Sequence, residues 1–206
     1  KPLPLDVKEP DNVAKSISLM KLEHAVITSV DRDDLEDLSA NHWAKTILKV
    51  KEVNPSTTLE VLIPDFQGRE ELVQLLIDAK PDIISHNMET VRRISPDVRS
   101  AAKYDQSLAV LKQIADSGTR TKTGIMVGLG ETPEEVYELM DELVAIKCNI
   151  LTIGQYLQPS RKHYPVKEYV TPSQFDTYRE VGLQKGFDVV ESGPLVRSSY
   201  HAEKHI

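Results

Sequence analysis

Apolar positions in this chain follow two spacings in turn. Runs of strand length occur at His24–Ser29, Thr57–Ile63, Asp82–His86, Thr123–Val127 and Ile150–Gln155, with a weaker run at Asp188–Glu191. Between them apolar residues recur at helical spacing: Trp43, Ile47, Leu48 and Val50, then Leu72, Leu75, Leu76 and Ala79. Leu108, Leu111, Ile114 and Ala115 continue the pattern, as do Val136, Leu139, Met140 and Leu143. Thr132-Pro-Glu-Glu reads as a helix start, with Thr as N-cap, Pro at the first position and acids in the first turn. Thr171-Pro-Ser-Gln repeats that signal before a helix running to about Gly186. Strand–helix alternation predicts a parallel sheet with helical crossovers, and both an open doubly wound sheet and a (β/α) barrel fit it. Neither a glycine-rich dinucleotide loop nor a Walker loop follows the first strand, which weakens the nucleotide-binding open sheet. With no long linker, low-complexity tract or short-period repeat, residues 1–206 read as one domain.

Composition narrows the partners more than the fold. The 206 residues are 40% hydrophobic and 28% charged, ordinary for a globular protein. No run of eighteen apolar residues is present, so no membrane span is expected, and the N-terminus lacks the apolar core of a signal peptide. A formal charge of −7 argues against a general nucleic-acid binder. Cys148 is the only cysteine, so no intramolecular disulfide can form, and a cytoplasmic setting is expected. Its place before an apolar β-rich run predicts a buried structural thiol.

Almost every predicted strand runs straight into a polar cluster. The first leads to Thr28-Ser-Val-Asp-Arg-Asp-Asp34, the second to Pro64-Asp-Phe-Gln-Gly-Arg69, and the third to His86-Asn-Met-Glu-Thr90. The fourth leads to Gly128-Leu-Gly-Glu-Thr132, the fifth to Gln155-Tyr-Leu-Gln-Pro-Ser-Arg161, and the last to Gly193-Pro-Leu-Val-Arg-Ser-Ser-Tyr-His201. Singly, each is explained as a solvated loop, a capped turn or a polar tail. Together they put carboxylates, amides and arginines at the carboxyl ends of parallel strands, where such folds build their sites. That convergence predicts a polar pocket for a multiply charged small molecule.

The same segments carry a family resemblance. Gly124-Ile-Met-Val-Gly-Leu-Gly-Glu131 matches the G-x-I-x-G-x-x-E pattern of radical S-adenosylmethionine enzymes, with Met126 at the Ile position. Val26-Ile-Thr-Ser-Val-Asp-Arg-Asp-Asp-Leu35, His86-Asn-Met-Glu-Thr, Leu151-Thr-Ile-Gly-Gln-Tyr-Leu-Gln-Pro-Ser-Arg161 and Gly193-Pro-Leu-Val-Arg-Ser-Ser-Tyr200 are sharper. In this order, and over essentially the whole chain, they resemble the lipoyl synthase family. The resemblance implies S-adenosylmethionine and two [4Fe–4S] clusters as cofactors. One cluster drives cleavage of the sulfonium to a 5′-deoxyadenosyl radical, and the other gives up sulfur to C6 and C8 of an octanoyl chain. The implied partners are an octanoylated lipoyl carrier domain or glycine cleavage H protein, and an electron donor such as flavodoxin or ferredoxin. Carried over residue by residue, it places Thr28, Ser29, Asn87, Glu89 and Lys122 around the cofactor, with Glu131 and Gln155. Either Ser198 or Ser199 would be an oxygen ligand of the second cluster, Ser198 being favoured. Arg161, Arg197 and Tyr200 would shape the substrate or cluster pocket, and Lys162 and His163 would contact the carrier or the substrate mouth.

The sequence departs from that pattern in two places. None of the family's six cluster cysteines is present, and Cys148 has none of the required spacing. The expected fold is therefore a partial parallel (β/α)6 TIM-like barrel of the radical enzyme type, holding strands two to six without the first strand and its cysteine loop. Residues 187–206 would form a C-terminal extension carrying Arg-Ser-Ser-Tyr, and the chain alone would be inactive. A cluster-free module that keeps the carrier-docking surface is the rival from another class. Acid–base chemistry among Asp31, Asp33, Glu89 and His86 is a weaker rival, since nothing pairs a base with a nucleophile or a metal-ligand triad. The second departure is local. Where the family reads Asp-Gly-Gly-Ala, this chain has Asp37-Leu-Ser-Ala40.

Overall fold

Six parallel strands form the centre of the computed structural model, which describes residues 2–99 and 103–205. They are β1 (His24–Thr28), β2 (Thr58–Leu62), β3 (Ile83–Ser85), β4 (Arg120–Val127), β5 (Ile150–Gln155) and β6 (Val189–Gly193). Spatial order follows chain order, so every crossover advances by one strand and the sheet winds as an open barrel with β1 and β6 at its edges. All six predicted strands are found, with β4 beginning three residues before its predicted run. The fold class expected from the sequence is thus the observed one. Residues read as a C-terminal extension begin with β6, which pairs with β5 from Ile150↔Val189 to Gly154↔Gly193.

Helices cover the outer face because strand alternation sends apolar residues there. They are α1 (Glu9–Met20), α2 (Ala40–Val53), α3 (Glu70–Asp78), α4 (Ser95–Val98), α5 (Tyr104–Asp116), α6 (Pro133–Ala145) and α7 (Pro172–Lys185). One core cluster joins Ala14, Ile17, Trp43 and Ile47 to Leu59, Val61, Leu76 and Ile84. A second joins Val136, Leu139 and Leu143 to Ile125, Val127, Leu151, Ile153 and Val190. Cys148 is buried in that second cluster, and burial raises its thiol pKa to about 12, as suits a structural cysteine.

Helix starts follow the sequence signals. Thr132 caps α6 in a full capping box, its side chain accepting from Glu135 N while the Glu135 carboxylate accepts from Thr132 N. Thr171 caps α7 by accepting from Gln174 N, and Gly186 closes that helix in the left-handed conformation. Helix α1 was not foreshadowed: only Pro10, Ala14 and Ile17 are buried, too short an apolar stripe to stand out. Leu48 faces solvent despite its place in the periodic set, and Thr46 takes the buried position instead. No helix among the described residues is long and apolar enough to cross a membrane.

Candidate functional site

The inner face of the sheet is polar where the outer face is not. Strand register sets His24, Val26 and Thr28 of β1 beside Thr58, Glu60 and Leu62 of β2. It likewise sets Ser85 beside Lys122, and Gly124 beside Thr152. Glu60 and Lys122 are buried there as an ion pair, with Nζ 2.8 Å from Oε1, and Ser85 Oγ donates to the same carboxylate at 2.7 Å. His24 extends toward this pair, its Nε2 3.9 Å from Glu60 Oε2, and neither buried ring nitrogen has a hydrogen-bond partner among the described residues. Burial holds the His24 pKa below its ordinary value.

Above this layer, at the carboxyl ends of β1 to β3, lies a cleft of about 200 Å³. Its lining includes Thr28, Ser29, Asp31, Asp65, Asn87, Glu89 and Arg99. The segment His86–Thr90 is laced to β4 as if it were a short strand. Glu89 N donates to Gly124 O at 3.0 Å, Met126 N donates to Glu89 O at 2.8 Å, and Met88 N reaches Thr123 Oγ1 at 3.1 Å. Glu89 adopts a left-handed backbone (φ 66°), unusual without glycine, and these bonds hold it there. Gly124 makes room for the arrangement. A Cβ at that position would lie 2.6 Å from Thr152 Oγ1 and 3.0 Å from Asn87 Oδ1.

Charge in the cleft is poised. Burial raises the Glu89 carboxyl pKa, opposed by Arg99 and by a hydrogen bond with Asn87. Burial, then the neighbouring carboxylates Asp33 and Asp65, raise that of Asp31. Carboxylates whose pKa is raised by burial are stabilised as anions by a ligand that brings positive charge.

Comparison with known proteins agrees with this geometry. A family model described as the Radical SAM superfamily matches residues 1–143. The lipoyl synthase of Bacteroides thetaiotaomicron is 71% identical over 206 residues, covering all of this chain and 73% of that protein. That of Phocaeicola vulgatus is 73% identical, with 72% of its length covered. The chain belongs to the lipoyl synthase family. Solved structures carry the fold at far lower identity. SuiB of Streptococcus suis bound to S-adenosylmethionine superposes with a TM-score of 0.70 at 10% identity, covering 93% of this chain and 45% of that one. Methylornithine synthase gives 0.66 at 13%, covering 92% and 63%.

The residues carried over from the family fall into three groups. Thr28, Ser29, Asn87 and Glu89 come together in the lining of the cleft. Lys122, Glu131 and Gln155 do not. Lys122 lies below, spent on Glu60. The Glu131 carboxylate accepts from Gly128 N and Leu129 N at 2.5 and 2.9 Å, closing its own glycine turn. Gln155 points to the outer face, donating to Tyr156 O and Glu168 O and accepting from Val170 N, and so pins the whole loop after β5. The third group is C-terminal. Val196 crosses β5 at Gly154, where a Cβ would lie 2.3 Å from Val196 O and 3.2 Å from Arg197 Nη1. Arg197–Tyr200 then turns on itself, Tyr200 N donating to Arg197 O at 2.9 Å, and a 3-10 turn at Ala202–His205 comes back beside β1. Ser198 is partly buried there, while Ser199 and Tyr200 are exposed, and Arg161 is exposed in the loop after β5. Arg99 and Asp65 belong to the cleft but had not been singled out from the sequence.

The donor set fits one implied cofactor and not the other. S-adenosylmethionine presents an amine, a carboxylate, a sulfonium and ribose hydroxyls, matching a cleft with two carboxylates of raised pKa, an amide and a guanidinium. An iron–sulfur cluster asks for several thiolates. Cys148 is buried away from the cleft, and no group of three or more His, Cys, Asp or Glu among the described residues is arranged to hold a metal.

Proposed function

We propose that the cleft at the ends of β1 to β3 is the S-adenosylmethionine site of a lipoyl synthase. This enzyme inserts two sulfur atoms at C6 and C8 of an octanoyl group carried by a lipoyl carrier domain or glycine cleavage H protein. The observation that carries the reading is the meeting of Asn87, Glu89, Asp31 and Arg99 in one cleft over a strand that has no side chain at Gly124. Glu89 and Asn87 take the ribose hydroxyls and Asp31 the amine, while Arg99 is the cation placed to receive the carboxylate. Thr28 and Ser29 border the same space. Lys122, Glu131 and Gln155 support the site through what they hold: the Glu60 carboxylate, the glycine turn and the loop after β5.

Bound in the cleft and given one electron from outside, the cofactor would supply a carbon radical able to take hydrogen from an unactivated chain, with methionine as the leaving group. The chain's own part is to bind and orient it and to exclude water. The described residues offer no set of thiolates for a cluster, so reduction and sulfur supply lie outside what they do, and on this reading the chain alone is inactive. Ser198 or Ser199 offers at most one oxygen ligand, with Arg197 and Tyr200 around it. Arg161 borders the substrate or cluster pocket, and Lys162 and His163 contact the carrier or the substrate mouth. Residues 1–206 work as one barrel domain, in which residues 187–206 form a C-terminal extension that contributes β6 and then crosses β5 at Val196. The setting is cytoplasmic, and a flavodoxin or ferredoxin supplies electrons.

Equilibrium dialysis with S-adenosylmethionine tests the cleft. Glu89→Gln and Arg99→Met should each weaken binding about tenfold or more, the usual loss for a charged hydrogen bond. Unchanged affinity in both variants would overturn the assignment.

A further inference from the structure

Arg99 is aimed into the cleft from behind. Its Nη1 donates to Asn87 O at 3.2 Å and to Ser107 Oγ at 3.0 Å. Ser107 belongs to α5, and its hydroxyl lies 2.9 Å from Nε2 of His86, which follows β3. Nδ1 of the same ring lies 2.9 Å from Ile63 O, just past β2. Three elements therefore meet behind one guanidinium.

Elementary donor and acceptor rules fix every proton in this chain. A carbonyl oxygen can only accept, so the His86 proton sits on Nδ1 and Nε2 of the neutral ring can only accept. Ser107 must then give its hydroxyl proton to Nε2, which leaves an oxygen lone pair facing Arg99, a group that can only donate. The order Arg99→Ser107→His86→Ile63 is the single assignment open to a neutral ring. Full burial keeps the ring neutral, lowering its pKa to about 4.

We infer that His86 and Ser107 are positioning residues that fix the Arg99 guanidinium for the carboxylate of the bound cofactor. Ser107 is not part of the cleft lining, and His86, which borders it, has both ring nitrogens engaged by Ile63 and Ser107. A free arginine would spread its charge over many rotamers, and the Ser107 and Asn87 contacts remove that freedom before the ligand arrives. The inference rests on the proposed cofactor cleft.

The test compares two ligands by equilibrium dialysis on this same chain. S-adenosylmethionine carries the amino-acid carboxylate, whereas 5′-methylthioadenosine has the same nucleoside without it. Ser107→Ala should weaken S-adenosylmethionine about tenfold and leave methylthioadenosine within about twofold. Ser107→Thr, which keeps the hydroxyl, should restore the affinity. Equal weakening of both ligands would mean that Ser107 only supports packing, and no weakening of either would mean that the chain of bonds is idle. Both results overturn the inference. If the parent protein binds neither ligand, the cleft assignment falls, and this inference with it.

Discussion

Lys122 Nζ lies 2.8 Å from Oε1 and 2.9 Å from Oε2 of Glu60, and each side chain is only 1% exposed. A charge pair inside a barrel has lost its water, so its attraction must offset a desolvation cost of several kcal/mol per ion. The asymmetry of such pairs gives the first prediction. Glu60→Gln or Lys122→Met alone strands a buried charge and should cost about 3 kcal/mol or more. The double variant should lose less than either single one. Urea unfolding of the four proteins measures the cycle, and simple additivity of the two losses would show that the pair is not coupled.

Gly124 supports two neighbours at once, and they can be separated. Gly124→Ala pushes a methyl to 2.6 Å from Thr152 Oγ1 and 3.0 Å from Asn87 Oδ1. Overpacking of that kind costs about 1–3 kcal/mol. Adding Thr152→Ala removes the tighter clash and should restore most of the stability. The Asn87 contact remains, so cofactor affinity should stay low. Recovery of both properties together would place the damage at Thr152 alone.

Leu38 and Ser39 occupy the two positions where the family resemblance leads one to expect glycine, and both have left-handed backbones, with φ of 48° and 68°. The departure noted in the sequence therefore falls on strained residues. Ser39→Gly should stabilise the chain by up to about 1 kcal/mol through relief of that strain. Leu38→Gly should not, because Leu38 is buried in the core and its removal costs about 1.5–3 kcal/mol of burial. Thermal melting of the two variants should move in opposite directions.

His86 should make the protein acid-sensitive. Its pKa in the folded chain is about 4, against an ordinary value of 6.5. The folded form therefore holds fewer protons than the unfolded form between those values. Its contribution is fully present above the upper value and is lost as pH falls toward the lower one, about 3 kcal/mol in all. Denaturation at a series of pH values should show this slope in the parent chain and a shallower one in His86→Gln. Equal slopes would assign the sensitivity to other groups.

Much of this was legible because local signals agreed with the global pattern. Thr132 and Thr171 announced their helices by side-chain chemistry that needs no tertiary context, and the strands stood out by length and apolar content. The site was harder. Gln155 and Glu131 are polar residues at strand ends, yet one faces outward and the other folds back on its own loop. Parity would have corrected the first: Thr152 and Gly154 face inward, so Gln155 cannot. Arg99 stands ten residues beyond Glu89 with no motif spacing to mark it, and only the fold brings the two together. Glu60 was hidden by lying within an otherwise apolar strand.

Gly154 bears on the C-terminal segment through geometry alone. The chain at Val196 passes so close over β5 that a Cβ on Gly154 would lie 2.3 Å from the Val196 carbonyl oxygen, a backbone atom that cannot swing aside as a side chain would. Gly154→Ala must therefore lift the crossing, and with it the Arg197–Tyr200 turn. The six strands and both core clusters do not depend on that crossing, so global stability should fall by only about 1–2 kcal/mol. The segment itself should open. Limited trypsin digestion reads this directly, because Arg197 and Lys204 offer cleavage sites on the displaced stretch, and cleavage there should quicken several-fold while the melting temperature changes little. Unchanged cleavage with a large loss of stability would mean that the crossing is part of the core rather than a strap laid over it.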